Sequence, residues 1–429
     1  MTDRGEQPLL GIASVRNILA SGALSVTAIS LMLAVLFKQA FDITDDPLTI
    51  GIVGLLQFIP AVLLVFVSGY LADRYDRRSL VAWTTVGRVA CVIGFFIYSR
   101  SVGDVSGGSD AAVWPLYVIT FVFGSFDAVG IPARHAITPL VVRRELLPRL
   151  VAARASTMVF STIVGPIAAG FLYTVGADVA YVVTAILFVA SIPPLLRTTY
   201  AVEPTRLNER PSLGLVLDGL RFIRRSPIIL GAISLDMLAV LFGGAIALIP
   251  VIAEERLGVA DVAYGFLRAA PGVGAGLMGL WLARRPVSRR VGATLLWVVA
   301  IFGFFHITLG LTTSYAVAFV SLMCAAAADM VSMTIRSTLV PLATPPEQLG
   351  RVSAVESVFI GASNELGAFE SGVAARYLGV PWAVAGGGVI TILVAGGIAT
   401  ALPTLRNIDT YDDVRAPGDV PTPTTPTSP

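Results

Sequence analysis

Lysine is nearly missing from this sequence: Lys38 is the only one, against 29 arginines. A phosphate-cradling G-x-x-x-x-G-K-[ST] loop is therefore impossible, because Lys38 follows Phe37, and an ATPase site of that kind is excluded. Histidine is as scarce, with His135 and His306 alone, which argues against a histidine-built metal centre and leaves His306 as a packed or interfacial side chain. The two cysteines, Cys91 and Cys324, lie in apolar runs and read as small core hydrophobes, not as a disulfide framework. No nucleophile constellation stands out, so the chain does not read as an enzyme, and no cofactor motif appears. Charge is short as well: 14% of residues are charged, against about 25% in soluble domains. The net charge of +2 leaves no nucleic-acid footprint. A cleavable signal peptide is also missing, since Asp3, Arg4 and Glu6 precede an apolar stretch long enough to span a membrane and stay there.

What is present is apolar material, 55% of the chain, with a mean hydropathy of +0.80. In water such a chain would expose large apolar patches, so its natural solvent is lipid. Runs of about 20 apolar residues, the length that crosses a bilayer, occur at 13–37, 48–72, 79–99, 112–133, 150–173 and 178–196. They resume at 228–252, 262–283, 291–311, 313–334, 353–377 and 380–402, twelve spans in two sets of six. With the N-terminus placed in the cytoplasm, 24 of the 30 basic residues fall in cytoplasmic segments or helix ends. Only Lys38, Arg100, Arg256 and Arg376 then lie outside. The expected topology is a multi-pass bacterial inner-membrane protein with both termini cytoplasmic. Its parts are a cytoplasmic N-terminus (1–12), a six-helix bundle (13–197), a linker (198–226), a second bundle (227–403) and a disordered Pro/Thr-rich tail (404–429). Within the linker, Leu213, Leu217, Leu220 and Ile223 recur at helical spacing with Asp218, Arg221 and Arg225 on another face, as in a helix lying on a membrane surface.

The halves are related by sequence at one offset of 202 residues. It pairs Asp127 with Asp329, Arg134 with Arg336, Pro139 with Pro341, Glu145 with Glu347 and Arg149 with Arg351. Without a gap it continues to Ser161 and Ser363, Gly165 and Gly367, Gly170 and Gly372. Two bundles of like orientation imply a pseudo-twofold along the membrane normal, with a ligand site between them near the midplane.

The strongest local motif follows the second span: Gly69-Tyr-Leu-Ala-Asp73-Arg74-Tyr-Asp76-Arg77-Arg78. From the residues alone it is a tight basic turn at the membrane surface. Gly69 allows close helix approach, and Asp73 can sit at a helix N-terminus or pair with an arginine. The pattern G-x-L-A-D-R-x-x-R-R resembles the signature loop of the major facilitator superfamily, and the resemblance covers essentially the whole chain. It implies an all-α membrane fold of twelve helices in two pseudo-symmetric bundles that alternate access to a small-molecule site. It also implies a cytoplasmic clamp in which Asp73 meets the second half and Arg77 pairs with the helix-4 acid, here Asp127. Asp76 stands where many members have glycine, and LARRPVSRR at 282–290 is a degraded copy without the acid, so the clamp is expected to be asymmetric.

In span 5, Ser161-Thr-Ile-Val-Gly165-Pro166-Ile-Ala-Ala169-Gly170 resembles the antiporter motif of the superfamily's drug exporters, with Ser161 and Ala169 in place of two glycines. Small residues at this spacing also serve ordinary helix packing. Closer still, FDITDDPLTIGIVGLLQFIPAVLL (41–64), PARHAITPLVVRRELLPRLVA (132–152) and GLRFIRRSPIILGAISLDMLAVLFGGAIALIPV (219–251) are similar to the enterobactin-exporter and macrolide-efflux branch. The implied activity is proton-coupled export of a small amphipathic molecule, a drug or siderophore. The implied partners are substrate, protons and membrane lipid, and the expected state is a monomer. An importer or facilitator of the same fold, and a non-transporting membrane sensor, are the alternatives.

Ionisable groups inside spans are costly and mark function. Asp127 and Asp329 each precede an arginine (Arg134, Arg336) by seven residues, two turns on one face, and read as gate or clamp residues. Glu365, in mid-span 11, is the leading proton-coupling candidate and Asp236 in span 7 the second. Arg88, Arg268 and Glu370 are their candidate intramembrane charge partners.

Overall fold

The computed structural model describes residues 9–103, 112–202 and 213–414. No strand occurs among them. The first half comprises α1 (Ala13–Thr44), α2 (Pro47–Leu63), α3 (Val65–Arg74), α4 (Arg77–Val102), α5 (Trp114–Ile137), α6 (Leu147–Tyr173) and α7 (Ala177–Leu196). A linker helix, α8 (Leu213–Arg225), leads to α9 (Pro227–Phe242), α10 (Ile249–Val251) and α11 (Asp261–Arg284). The chain then runs through α12 (Val291–Leu311), α13 (Tyr315–Leu342), α14 (Pro346–Leu378), α15 (Val380–Ala401) and the short α16 (Pro403–Arg406).

Ten stretches are long and apolar enough to cross a membrane, and α2 with α3 makes an eleventh, bent by 60°. At 33 residues α14 is ~50 Å long, enough to span, but Glu356, Glu365 and Glu370 take it out of the apolar class. The α2–α3 bend follows Pro60, whose ring removes a backbone donor and crowds the preceding turn. Span 7 breaks at Gly243 and Gly244, where α9 gives way to a single 3-10 turn and then to α10 and a π-helical turn, Ile252–Arg256.

The sequence-predicted helix in the linker forms as α8, and Gly219 rests on the backbone carbonyl of Arg351 in α14. Residues 404–414, grouped with the tail on composition, are ordered instead. The amides of Val291 and Gly292 donate to Asp409 O and Ile408 O (3.1 and 3.0 Å), so this segment satisfies the first N–H groups of α12 and buries Leu405 beneath it. The Pro/Thr-rich residues 415–429 lie outside the described residues.

The two ends of the bundle differ. One, here called the basic end, carries the α3–α4 and α5–α6 loops, rich in arginine; the other is the far end. At the far end one apolar core runs through both halves, including Leu31, Phe41 and Tyr181 of the first and Tyr264, Leu322 and Ala368 of the second. At the basic end there are two cores. Val81, Ile137 and Leu195 belong to the first half alone, and Ile229, Ile335 and Leu405 to the second. The halves touch through α6 on α11 and α2 on α14. They share one apolar core at the far end and keep separate apolar cores at the basic end.

Candidate functional site

Small residues set the closest approaches between the halves. Gly170 of α6 faces Gly265 of α11, and a Cβ on Gly170 would stand 2.9 Å from Gly265 Cα. A Cβ on Gly51 of α2 would stand 3.0 Å from Phe369 Cα, and one on Gly372 would stand 3.1 Å from Gly51 Cα. The span-5 motif is thus a seat on two sides. Ser161 Oγ donates to Ala23 O of α1 (3.2 Å), a Cβ on Gly165 would stand 3.0 Å from Thr27 O and Leu31 N, Pro166 O abuts Gly265, and Ala169 is buried.

Charges brace the same far end. Lys38 of α1 donates to Asp42 one turn on (2.5 Å) and crosses to Glu254 of the second half (2.8 Å), with Asp261 at 4.0 Å. Tyr173 Oη donates to the other oxygen of Asp42 (2.6 Å). Arg376 of α14 pairs with Asp46 before α2 (2.7 Å), and Tyr264 Oη donates to Ala34 O (2.7 Å). A half-exposed ion pair contributes about 1 kcal/mol or less, so the shared apolar core carries most of this seal and the charges fix its register. Sequence reading placed Lys38 only as an outer basic residue. Its solitary status and the i,i+4 spacing to Asp42 were the available signal.

One turn towards the basic end from the seal lie Arg268 and Glu365. Arg268 Nη1 donates to Ile246 O (2.5 Å), in the broken part of span 7, and its guanidinium stands over the Phe37 ring at 5.4 Å. The Glu365 carboxylate lies against Gly54 of α2, 3.2 Å from where a Cβ would sit. Arg268 is the charged group that acts on Glu365, without forming an ion pair within 4 Å. Glu370, further out, accepts from Ser371 Oγ (3.5 Å) and meets no arginine among the described residues.

At the basic end the first half holds Asp127 between Arg134 (2.7 Å) and Arg88 (3.5 Å). Arg88 is completely buried and stacks on Phe188 at 4.8 Å. The second half pairs Arg336 with Asp236 of α9 at 2.6 Å. The spacing of Asp329 and Arg336 therefore does not yield a pair. Asp329 makes no hydrogen bond or ion pair among the described residues, though it shares with Asp236 a small cavity lined also by Val299, Phe302 and Ser332. Asp236 is accordingly a counter-ion and not a free carboxylate, and Arg88 neutralises Asp127 instead of either coupling candidate.

The α3–α4 loop differs from the expected clamp. Gly69 lies within α3, and Asp73 is exposed with no hydrogen bond or ion pair among the described residues. Arg74 donates to Tyr70 Oη. Arg77 reaches Ala136 O (3.3 Å) and not Asp127, because Arg134 and Arg88 already occupy that acid. Arg78 donates to Thr198 O (2.7 Å) and stacks on Tyr200 at 4.5 Å. Asp76 caps α4: burial pushes its carboxyl up, but bonds from Ser79 and the charge of Arg78 outweigh this and hold it below the usual range.

With the geometry in place, three comparisons bear on the chain. A family model described as Major Facilitator Superfamily matches residues 18–368. The enterobactin exporter EntS of Shigella boydii serotype 18 is 27% identical over 298 residues, 68% of each chain. EntS of Escherichia coli O1:K1 is 28% identical over 297 residues, again 68% of each. The fold is shared with solved structures at low identity. A bacterial homologue of the iron transporter ferroportin in an inward-facing state has a TM-score of 0.68 at 14% identity, covering 94% of this chain and 100% of that one. The E. coli xylose transporter XylE in an inward-open conformation has a TM-score of 0.68 at 13% identity, covering 93% and 99%. Ten apolar spans with the bent α2–α3 pair as an eleventh, in two related halves joined at one end around a charged interface, and a family match over most of the length agree: the chain is a multi-pass membrane transporter belonging to the Major Facilitator Superfamily.

Proposed function

We propose that this transporter is a proton-coupled exporter of a small amphipathic molecule, working as a monomer in the bacterial inner membrane with both termini in the cytoplasm. The arginine excess equates the basic end with the cytoplasm. The shared far-end core and the two separate basic-end cores support an inward-open state, ready to load from the cytoplasm. The observation that carries coupling is Glu365, a carboxylate in mid-membrane, just inside the seal and unpaired within 4 Å among the described residues. Such a group exchanges protons as the two gates alternate. Asp236 is the weaker candidate because Arg336 holds it. Export is supported by the exporter relatives and by the span-5 seat, which sets α6 against both α1 and α11. The released Asp73 clamp suits the inward-open state, and the clamp would form when the cytoplasmic ends close.

The test is retention in exporter-deleted bacteria loaded with fluorescent cations, macrolides and catecholate siderophores. The transporter should lower retention of at least one compound, and a protonophore should abolish this. Glu365→Gln, inserted normally, should lose at least about 10-fold in efflux rate, as expected for removal of an essential proton carrier. Raised retention would mean import, and an active, protonophore-insensitive Glu365→Gln would remove Glu365 from coupling.

A further inference from the structure

The guanidinium of Arg268 is underused. Of its five N–H donors, the described residues accept one bond, at Ile246 O. Its other nitrogens are not sealed away, unlike Arg88 Nε and Arg134 Nη1, which are buried without a partner. The side chain is half-buried, deep in α11, with Phe37 of the first half on one side and the broken backbone of span 7 on the other. Tyr264, one turn away, closes the path to the far end through its bond to Ala34. The open donors are thus left between Phe37 of the first half and the span-7 backbone of the second. Tyr264 and then Glu365 act electrostatically on them, and Glu365 forms no ion pair with Arg268 within 4 Å among the described residues. A guanidinium fork with free donors beside an aromatic ring, at a half-buried position deep in a span, is suited to a planar oxyanion joined to an apolar body.

We infer that Arg268 is the anchor of the substrate site and that the cargo carries an anionic oxygen group, such as a carboxylate, beside an aromatic or apolar body packed near Phe37. This deepens the export reading above and rests on it. Glu365 then acts as the substrate's rival: one guanidinium serves either the cargo's anion or the protein's own carboxylate, and the cargo's arrival displaces the influence of Glu365.

The experiment uses the full-length protein in lipid nanodiscs and three matched probes: 2-naphthoate, 2-naphthamide and 2-naphthylmethylammonium. Binding is read by calorimetry. Naphthoate should bind tightest. Arg268→Gln should weaken naphthoate by about 10-fold or more, the scale of one charge-assisted bidentate contact, and leave naphthamide unchanged. Arg268→Lys should restore part of the loss, since the charge returns without the fork. Glu365→Gln should tighten naphthoate by about 3-fold or more as the competing carboxylate disappears. Unchanged thermal midpoints and unchanged naphthamide binding separate a lost anchor from a damaged fold. The proposal is overturned if the ammonium probe binds tightest, if the three bind equally, if none binds, or if Arg268→Gln leaves the naphthoate preference intact. Binding of this pattern with no efflux in cells would overturn the export reading and leave the anion site standing.

Discussion

The two halves keep one repeat frame but balance their buried charges in opposite ways. In the first, Asp127 answers two arginines, Arg134 and Arg88. In the second, the repeat mate Arg336 answers Asp236, and the mate acid Asp329 is left beside the pair. The difference comes from the neighbours. Helix α4 brings Arg88 to the acid, whereas α12 brings Val298 and Val299, and α9 brings Asp236. One half thus carries a surplus guanidinium and the other a surplus carboxyl. A duplicated fold retains its helices while a few substitutions give one copy of a charge cluster an extra arginine and the other an extra acid.

The largest effect should come from breaking the brace. Asp127→Ala leaves the buried guanidinium of Arg88 and the half-buried one of Arg134 without their acid and should destabilise the protein by about 3–5 kcal/mol, read as a fall in unfolding midpoint in detergent. A loss below about 1 kcal/mol would mean that Arg88 and Arg134 are satisfied elsewhere. Next, Asp236→Leu alone should cost about 3 kcal/mol because it strands Arg336, and adding Arg336→Leu should recover stability to within about 1 kcal/mol of the parent. A double variant no better than the single would show that the pair is not an isolated unit and that Asp329 takes part in it. The smallest effect belongs to Asp329→Asn, which removes no observed partner and should change stability by less than about 1 kcal/mol. A change as large as that of its repeat mate Asp127→Ala would erase the contrast between the halves.

Much of this arrangement was legible in the chain, because lipid imposes long apolar runs and the repeat holds one register. The pairing of Asp127 with Arg134 followed from seven-residue spacing on a helix face. The same spacing failed for Asp329 and Arg336, since Asp236 approaches from a helix almost a hundred positions earlier and wins at 2.6 Å. Helical periodicity cannot see such a competitor. Arg77 was assigned to Asp127 by resemblance, and the structure sends it to Ala136 O because the acid is already occupied. The adjacency of Arg268 to Glu365 and the crossing of Lys38 to Glu254 join distant segments, and only packing creates them. The bend after Pro60 and the Gly243–Gly244 break were visible as residues, but not as a change in direction.

Lys38 has one more consequence. Apart from the terminal amine, it holds the only primary amine in the chain, and that amine is buried while the far end is shut. Amine-selective acylation thus has a single internal target, and that target sits in the ion-pair cluster that joins the two halves.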